Sequence, residues 1–564
     1  MEQKQDFKKN ILSWLLIRIS SSFFLKILGL IFYFLIVNSL SKQDSDLFFE
    51  AFSILSIIPA FLSVGFLFSI LKFFPIYFLK RQFNLIKLNI FVILSIFFIL
   101  WLGSYFLIHS ISFLPNIFQQ SISFFDKIFS TNLSNFFISQ KSLSSKEIGL
   151  SAFYDLIWLA TLFTLFGSFF NSILLSFKKF FETTYLDILA QLIKLVFILI
   201  LIFIGINSSF YFFGAYVASL FLILLISAYL VFSFLSKYKT KEKISFNLLS
   251  IFKNLKEQIY FGFPLYLSSV LNPLISQFDV LFIAYFLQSE PGAVTAYVVV
   301  SLFAKSISPV ILGPISSVQL PVLVEENEKK SDKFFRLAKL STKLGFFIGI
   351  IVLAFFLVFG HLLLELYSPA YASYSYLFWF FIPVVLADLL SFSQRNMFFA
   401  KGNSKILFLF SLSALLLNAF FDILLIPLIG IGGAALASSI SFILPSFIII
   451  QISKKHSGSI LDKDILYSLL LGIFVLLIFF LAFNYLNLNL LSLSKIQKLL
   501  ILILGGALFS LLYFIFLILF RLIKLADIIL LIEILAQNKK LSFLTPFIIN
   551  IIKKFAKIFN LPLQ

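Results

Sequence analysis

Apolar runs long enough to cross a bilayer recur fourteen times along the chain, and this limits the fold more than any other feature. A spanning helix needs about 20 apolar residues, because the hydrocarbon core is ~30 Å thick and each helical residue rises ~1.5 Å. The runs lie near 11–39, 48–77, 88–114, 152–176, 183–205, 211–236, 259–287, 294–324, 344–367, 374–399, 406–428, 432–453, 465–487 and 499–520. Composition agrees: 61% of the 564 residues are hydrophobic and 12% are charged, whereas a soluble domain is about 25% charged. A soluble enzyme is excluded, as is a disordered, collagen-like or fibrous chain. The expected fold is an all-α polytopic membrane protein with 14 transmembrane helices.

The first run follows Met1 to Lys9. It is too long for a signal-peptide core and no small-residue cleavage site follows, so it reads as an uncleaved first span. The net charge of +19 would suggest nucleic acid in a soluble protein. In a membrane protein it reflects cytoplasmic loops rich in Lys and Arg. With the N-terminus placed inside, 32 of the 44 Lys and Arg fall in inside segments, 6 in outside loops and 6 within spans. A missed span would reverse every later sign, and the bias persists to the end. Both termini are therefore expected in the cytoplasm, in a multi-pass protein of the cytoplasmic (inner) membrane. Cysteine is absent, which excludes disulfides and Cys-based metal sites. His109, His361 and His456 are too scattered for a zinc centre, and the 81 Phe read as lipid-facing filler.

Three pieces lie outside the spans. Residues 115–151 form the one long outside loop. Residues 237–258 form a basic inside linker, and 521–564 a basic cytoplasmic tail whose stretch from Phe547 to Lys557 suits an interfacial helix. The linker separates an N-terminal lobe, 1–236 with spans 1–6, from a C-terminal lobe, 259–453 with spans 7–12. Spans 13 and 14 occupy 454–520. The two lobes resemble each other: Gly214-Ala215-Tyr216-Val217-Ala218-Ser219 of span 6 matches Gly433-Ala434-Ala435-Leu436-Ala437-Ser438 of span 12. Pro75 near the end of span 2 matches Pro321 near the end of span 8. Six spans per lobe make these parallel repeats, a plan in which transporters bind substrate between halves and rock one against the other. The small residues of the shared pattern let helices approach closely and carry no chemistry.

The C-terminal lobe also carries motifs. Met397-Phe398-Phe399-Ala400-Lys401-Gly402-Asn403-Ser404-Lys405 resembles the A-x-Gly-x-x-Lys turn of polysaccharide flippases. Ile426-Pro427-Leu428-Ile429-Gly430-Ile431-Gly432-Gly433-Ala434-Ala435-Leu436-Ala437-Ser438 resembles their I-P-x-x-G-I-x-G-A-A-x-A-T signature, with Ser for Thr. Gly262-Phe263-Pro264 to Asp279, followed by Gly292-Ala293-Val294-Thr295-Ala296-Tyr297, is similar to their spans 7 and 8. The family resembled is the multidrug/oligosaccharidyl-lipid/polysaccharide (MOP) flippase superfamily, in its lipid-linked oligosaccharide (O-antigen and polysaccharide) branch. The resemblance implies a MATE-like fold of two six-helix lobes plus a C-terminal helix pair. It also implies outward movement of an undecaprenyl-diphosphate-linked glycan by alternating access. The N-terminal lobe departs from the pattern: Asp46-Leu47-Phe48-Phe49 stands where the family has a Gly-aromatic pair.

A cation at mid-bilayer costs about 2.5–3.5 kcal/mol on insertion scales and normally faces a cavity or a partner. Arg18, Lys26, Lys72, Lys194, Lys305 and Arg395 lie within spans. Lys72 and Arg395 stand about one turn from span ends, where snorkelling is the plain alternative. Lys194 and Lys305 are deeper, so a water-filled cavity or an interhelical ion pair is expected. Arg18, Ser22 and Lys26 share one face of span 1 at i, i+4 and i+8. A lipid-linked diphosphate requires such cations, so Arg18, Lys26, Lys194, Lys305 and Arg395 are the candidate substrate-binding residues. Asp279 and Asp388 are deep acids: either the site of a proton or Na⁺ gradient that drives transport, or charge balance for the lysines. Asp155, Asp187 and Asp422 lie near span ends, where solvation suffices. Asp388 and Arg395 share a face at i, i+7, a spacing that reads as too long for a direct bond.

No catalytic or metal residues and no bound cofactor are expected. The partners are the lipid-linked glycan and the bilayer, together with the polymerase or glycosyltransferases of the same pathway. Nucleic acid is not one, and the chain is expected to be a monomer. The competing readings are a multidrug antiporter of the same fold, which would favour an acidic cavity, and a peptidoglycan-precursor flippase. A membrane-embedded glycan polymerase or ligase is the third, but the outside loop has no Arg or His to serve it.

Overall fold

The computed structural model describes residues 24–109, 150–238, 248–328, 333–457, 463–485, 494–520 and Leu522. Arg18, the 115–151 loop (bar its last two residues), most of the linker and nearly all of the tail lie outside the described residues. The described chain is almost wholly helical. In order the helices are α1 (Phe24–Ser39), α2 (Lys42–Leu62), α3 (Phe66–Leu79), α4 (Phe83–His109), α5 (Tyr154–Ser176), α6 (Phe180–Ile204) and α7 (Ser209–Ser236). There follow α8 (Leu248–Phe286), α9 (Ala293–Ala304), α10 (Ile307–Glu328), α11 (Lys333–Tyr367), α12 (Leu377–Ala400), α13 (Ser404–Ile429), α14 (Ile431–Ser457), α15 (Lys463–Tyr485) and α16 (Lys495–Leu519). A 3₁₀ turn, Pro369–Tyr376, links α11 to α12. Among the described residues, 13 helical segments are long and apolar enough to cross a membrane. The shorter apolar helices α1 and α3 stand besides these.

Two runs that read as single spans are broken. The run near 48–77 divides into α2 and α3 at Ser63–Gly65, where Val64 (φ 44°) and Gly65 (φ 80°) turn the backbone left-handed. A Cβ on Gly65 would stand 2.7 Å from the carbonyl carbon of Gly262 on α8. The break thus lets two backbones touch, and it explains the glycine of Gly262-Phe263-Pro264. The run near 294–324 divides into α9 and α10 at Lys305 and Ser306. Pro309 is the cause: its ring excludes the carbonyl of the residue four before it, Lys305, and it has no N–H to donate. Discontinuous helices in transporters line substrate or ion sites, because freed backbone groups need a polar surrounding.

The I-P-x-x-G-I-x-G signature folds as a tight turn between α13 and α14. Gly430 (φ 60°) ends α13, its N–H donating to Ile426, and Gly433 packs on the backbone of Leu425 and Ile426. Any side chain at Gly433 would collide with that backbone, so the motif is structural.

Contacts gather the chain into two units. One, here the N unit, takes in Trp14–Val299 with Leu415–Ala437; the other, the C unit, takes in Val300–Ala414 and Ser438 onward. The divisions fall inside α9, α13 and α14. In the N unit, Phe66, Ile70, Phe74, Ile90, Phe97, Phe169 and Ile173 form a dense cluster joining α3, α4 and α5. In the C unit, α15 and α16 pack on α11. Buried ion pairs fasten them there: Lys343 to Asp464 of α15 at 2.9 Å, and Glu365 to Lys498 of α16 at 2.5 Å. The two pairs stand 22 residues apart on α11, or ~33 Å at 1.5 Å per residue, close to the thickness of the hydrocarbon core. Lys343 and Lys498 read as loop residues in the sequence; the structure makes them anchors.

Candidate functional site

In the N unit, α6 carries Lys194 at mid-helix. Its ammonium lies 4.1 Å from the centroid of the Phe32 ring on α1. Phe32 is fully buried among Phe48 of α2 and Tyr216 of α7, with centroids 6.2 and 6.1 Å away. No carboxylate pairs with Lys194 among the described residues, so the ring's negative face is what holds this cation. Such a contact uses none of the three N–H donors. Of the alternatives read from sequence, the interhelical ion pair is not formed there. The aromatic setting also corrects the reading of Phe32 as lipid-facing filler. Lys26, on α1, is half-buried.

Asp279 of α8 is completely buried. It accepts the Tyr297 hydroxyl of α9 and, at 2.8 Å, the Asn418 amide of α13. One turn beyond Asn418 stands Asp422, also completely buried, which corrects the expectation that it is solvated near a span end. Burial here follows the face of the helix rather than depth along it. Asn418 Oδ1 is buried without a hydrogen-bond partner among the described residues. Two carboxylates and an unused amide oxygen thus share one dry region, an oxygen-rich set of the kind that takes a proton or a small hard cation.

Asp46 had entered the sequence argument only as a departure from family pattern. It is buried, accepts the N–H of Gly292 at 2.7 Å and of Thr295 at 2.8 Å, and accepts the Thr295 hydroxyl at 2.7 Å. A carboxylate there caps the first turn of α9 and meets its positive dipole end. One turn later on α2, Glu50 is buried as well.

In the C unit, Lys305 stands at the break between α9 and α10. Its ammonium donates to Ser438 Oγ at 3.2 Å and lies 5.5 Å from the Phe381 ring. Two turns along α12 from Phe381 comes Asp388, and two turns further Arg395. These two form a direct ion pair, contrary to the reading that i, i+7 is too long. The Cα atoms are ~10.5 Å apart at 1.5 Å per residue, but an extended arginine aimed along the helix axis covers most of that distance. The guanidinium also lies 5.1 Å from the Phe410 ring. Asp388 and Arg395 line a cleft of about 290 Å³ with Ser308, Ser316 and Asn396 of α10 and α12. Asn396 donates to Ser316 at 3.0 Å and to Gln319 at 2.9 Å, holding the two walls together.

A family model described as "Polysaccharide biosynthesis protein" matches residues 9–327, more than half of the chain. No curated protein matches the sequence. Among solved structures, the lipid II flippase MurJ in an inward closed conformation superposes with a TM-score of 0.62 at 18% identity, covering 90% of this chain and 99% of that one. An inward-facing multidrug resistance MATE family transporter of the MOP superfamily gives 0.56 at 15% identity, covering 77% and 94%. At those identities the likeness is one of fold, and it is the fold expected from the motifs. The chain is a multi-pass membrane protein that belongs to the polysaccharide biosynthesis protein family and has the fold of these two transporters.

Proposed function

We propose that the chain is a flippase that carries an undecaprenyl-diphosphate-linked oligosaccharide from the cytoplasmic to the outer leaflet by alternating access. The observation that carries this reading is Lys194: a cation kept within the membrane on an aromatic ring, with its donors unspent on any carboxylate among the described residues. A charge that is costly to insert and that no acid neutralises suits an anion that arrives and leaves. Lys305, which donates to a serine hydroxyl and lies near a ring, joins it in the proposed set. Lys26, Arg18 and Arg395 complete the proposed diphosphate-binding set. The serine and asparagine side chains of the C-unit cleft suit hydroxyl-rich sugars. Asp279, with Asn418 and Asp422 beside it, is the proposed seat of a driving proton or Na⁺.

In this reading both termini are cytoplasmic and the protein acts as a monomer in the cytoplasmic membrane, beside the glycosyltransferases and polymerase of its pathway. The test is complementation of a glycan-export defect by Lys194→Ala, Lys305→Ala and Lys26→Ala, with membrane protein levels checked. Export should fall at least tenfold for Lys194→Ala and Lys305→Ala at normal protein levels. Full export by all three would overturn the assignment.

A further inference from the structure

The ion pairs of the C unit differ in what they join. Lys343–Asp464 and Lys498–Glu365 bridge separate helices, and their side chains are 4–19% exposed. Asp388–Arg395 joins two residues of one helix, so it fastens nothing to anything. Its side chains are 21% and 24% exposed, at the wall of a cleft. Among the described residues Asp388 pairs only with Arg395. Arg395 otherwise rests on the face of Phe410, which leaves the edge of the guanidinium as its bonding surface. A guanidinium fork accepts a carboxylate and a phosphate in the same planar geometry. Two anions therefore cannot hold the same edge fully at once. The partial exposure matters too: a carboxylate released here meets water, whereas one released from a dry pair would be left uncompensated at a cost of several kcal/mol.

We propose that Asp388 is an internal competitor for Arg395: a phosphate-bearing ligand entering the cleft takes the guanidinium from Asp388, and Asp388 takes it back as the ligand leaves. This rests on the diphosphate reading above and gives Asp388 a role in release rather than in ion coupling. Asn396, fixed by Ser316 and Gln319, keeps the opposite wall in place while the exchange occurs. Asp388 then sets affinity by opposing it, and its removal tightens binding while slowing turnover.

The experiment uses the purified full-length protein in phosphatidylcholine nanodiscs and titrates farnesyl diphosphate, a short polyprenyl diphosphate. Asp388→Asn should bind about tenfold tighter than wild type and turn over more slowly in a flipping assay. Arg395→Gln should bind more weakly, and the double variant should match Arg395→Gln. Unchanged or weaker binding by Asp388→Asn, with Arg395→Gln still weakened, would overturn the competitor while leaving the diphosphate site standing. No binding by wild type would overturn both. The same titration in nanodiscs containing phosphatidylglycerol separates the source of the phosphate: loss of the Asp388→Asn gain there would assign the site to bulk lipid headgroups and overturn its assignment to substrate. Should Asp388→Asn fail to fold, wild type alone decides. Carbodiimide modification of Asp388, followed by mass spectrometry, should speed up when farnesyl diphosphate is added. Unchanged or slower labelling would contradict the exchange.

Discussion

The two units settle their buried charges differently. In the N unit two buried acids accept from neutral donors: Asp46 from backbone and hydroxyl groups of α9, Asp279 from Tyr297 and Asn418. Its mid-membrane Lys194 leans on a ring. In the C unit two dry pairs set charge against charge between helices, Lys343 with Asp464 and Lys498 with Glu365, whereas the part-exposed Arg395–Asp388 pair lies within one helix. The difference is physical. A carboxylate held by neutral donors loses only hydrogen-bond energy when it takes a proton or an ion, about 1–3 kcal/mol. A carboxylate in a dry ion pair strands its partner when it is neutralised. Sites that must change state therefore fit the first arrangement, and sites that must hold helices fit the second.

Breaking a dry pair should give the largest effect on stability. Lys343→Ala or Asp464→Ala alone should cost about 3–5 kcal/mol, because one buried charge is left unpaired. Replacing both residues with Met and Leu should restore most of that loss. Thermal unfolding in detergent checks the cycle, and cheap single variants would remove the contrast between the units. A smaller stability effect is expected at Asp46→Asn, whose amide would face the N–H of Gly292 with a donor; the loss should be about 1–3 kcal/mol. Hydrogen exchange at the start of α9 should rise with it. Asp279→Asn sharpens the comparison from the other side. Its fold should hold to within about 1–2 kcal/mol, since the remaining amide oxygen still accepts from Asn418 and the new N–H donates to the Tyr297 hydroxyl oxygen, while gradient-driven transport should be lost. Transport untouched by this change would make Asp279 a structural acid. The smallest effect is expected at Asp44, a partly exposed residue that accepts the Ser209 hydroxyl at 2.6 Å; Asp44→Ala should cost about 1 kcal/mol.

Hydropathy and the charge bias made the helical membrane fold legible from the chain alone, because a bilayer leaves backbone polar groups almost no other arrangement. The motifs around Gly402 and Gly430 pointed to the family for a similar reason: turn geometry restricts which residues fit. The helix breaks were less legible. Val64-Gly65 and Pro309 are visible as breakers, yet a hydropathy window averages across them. The pairings were hidden for another reason. Lys343 and Asp464 are 121 positions apart, and nothing local in either segment announces the other. Asp388–Arg395 was misjudged because backbone spacing says little about the reach of an arginine. Asp422 was misjudged because sequence gives a residue's distance from a span end more readily than the face it occupies.

The central claim is that the cations within the spans handle a diphosphate. Reconstituted proteoliposomes test it directly, by following transfer of a fluorescent sugar on a polyprenyl diphosphate against the same sugar on the uncharged polyprenol. Wild type should move the diphosphate form at least tenfold faster than the neutral one, and Lys194→Ala should erase that difference. Equal movement of both lipids by wild type, or a preference that survives Lys194→Ala intact, would contradict it.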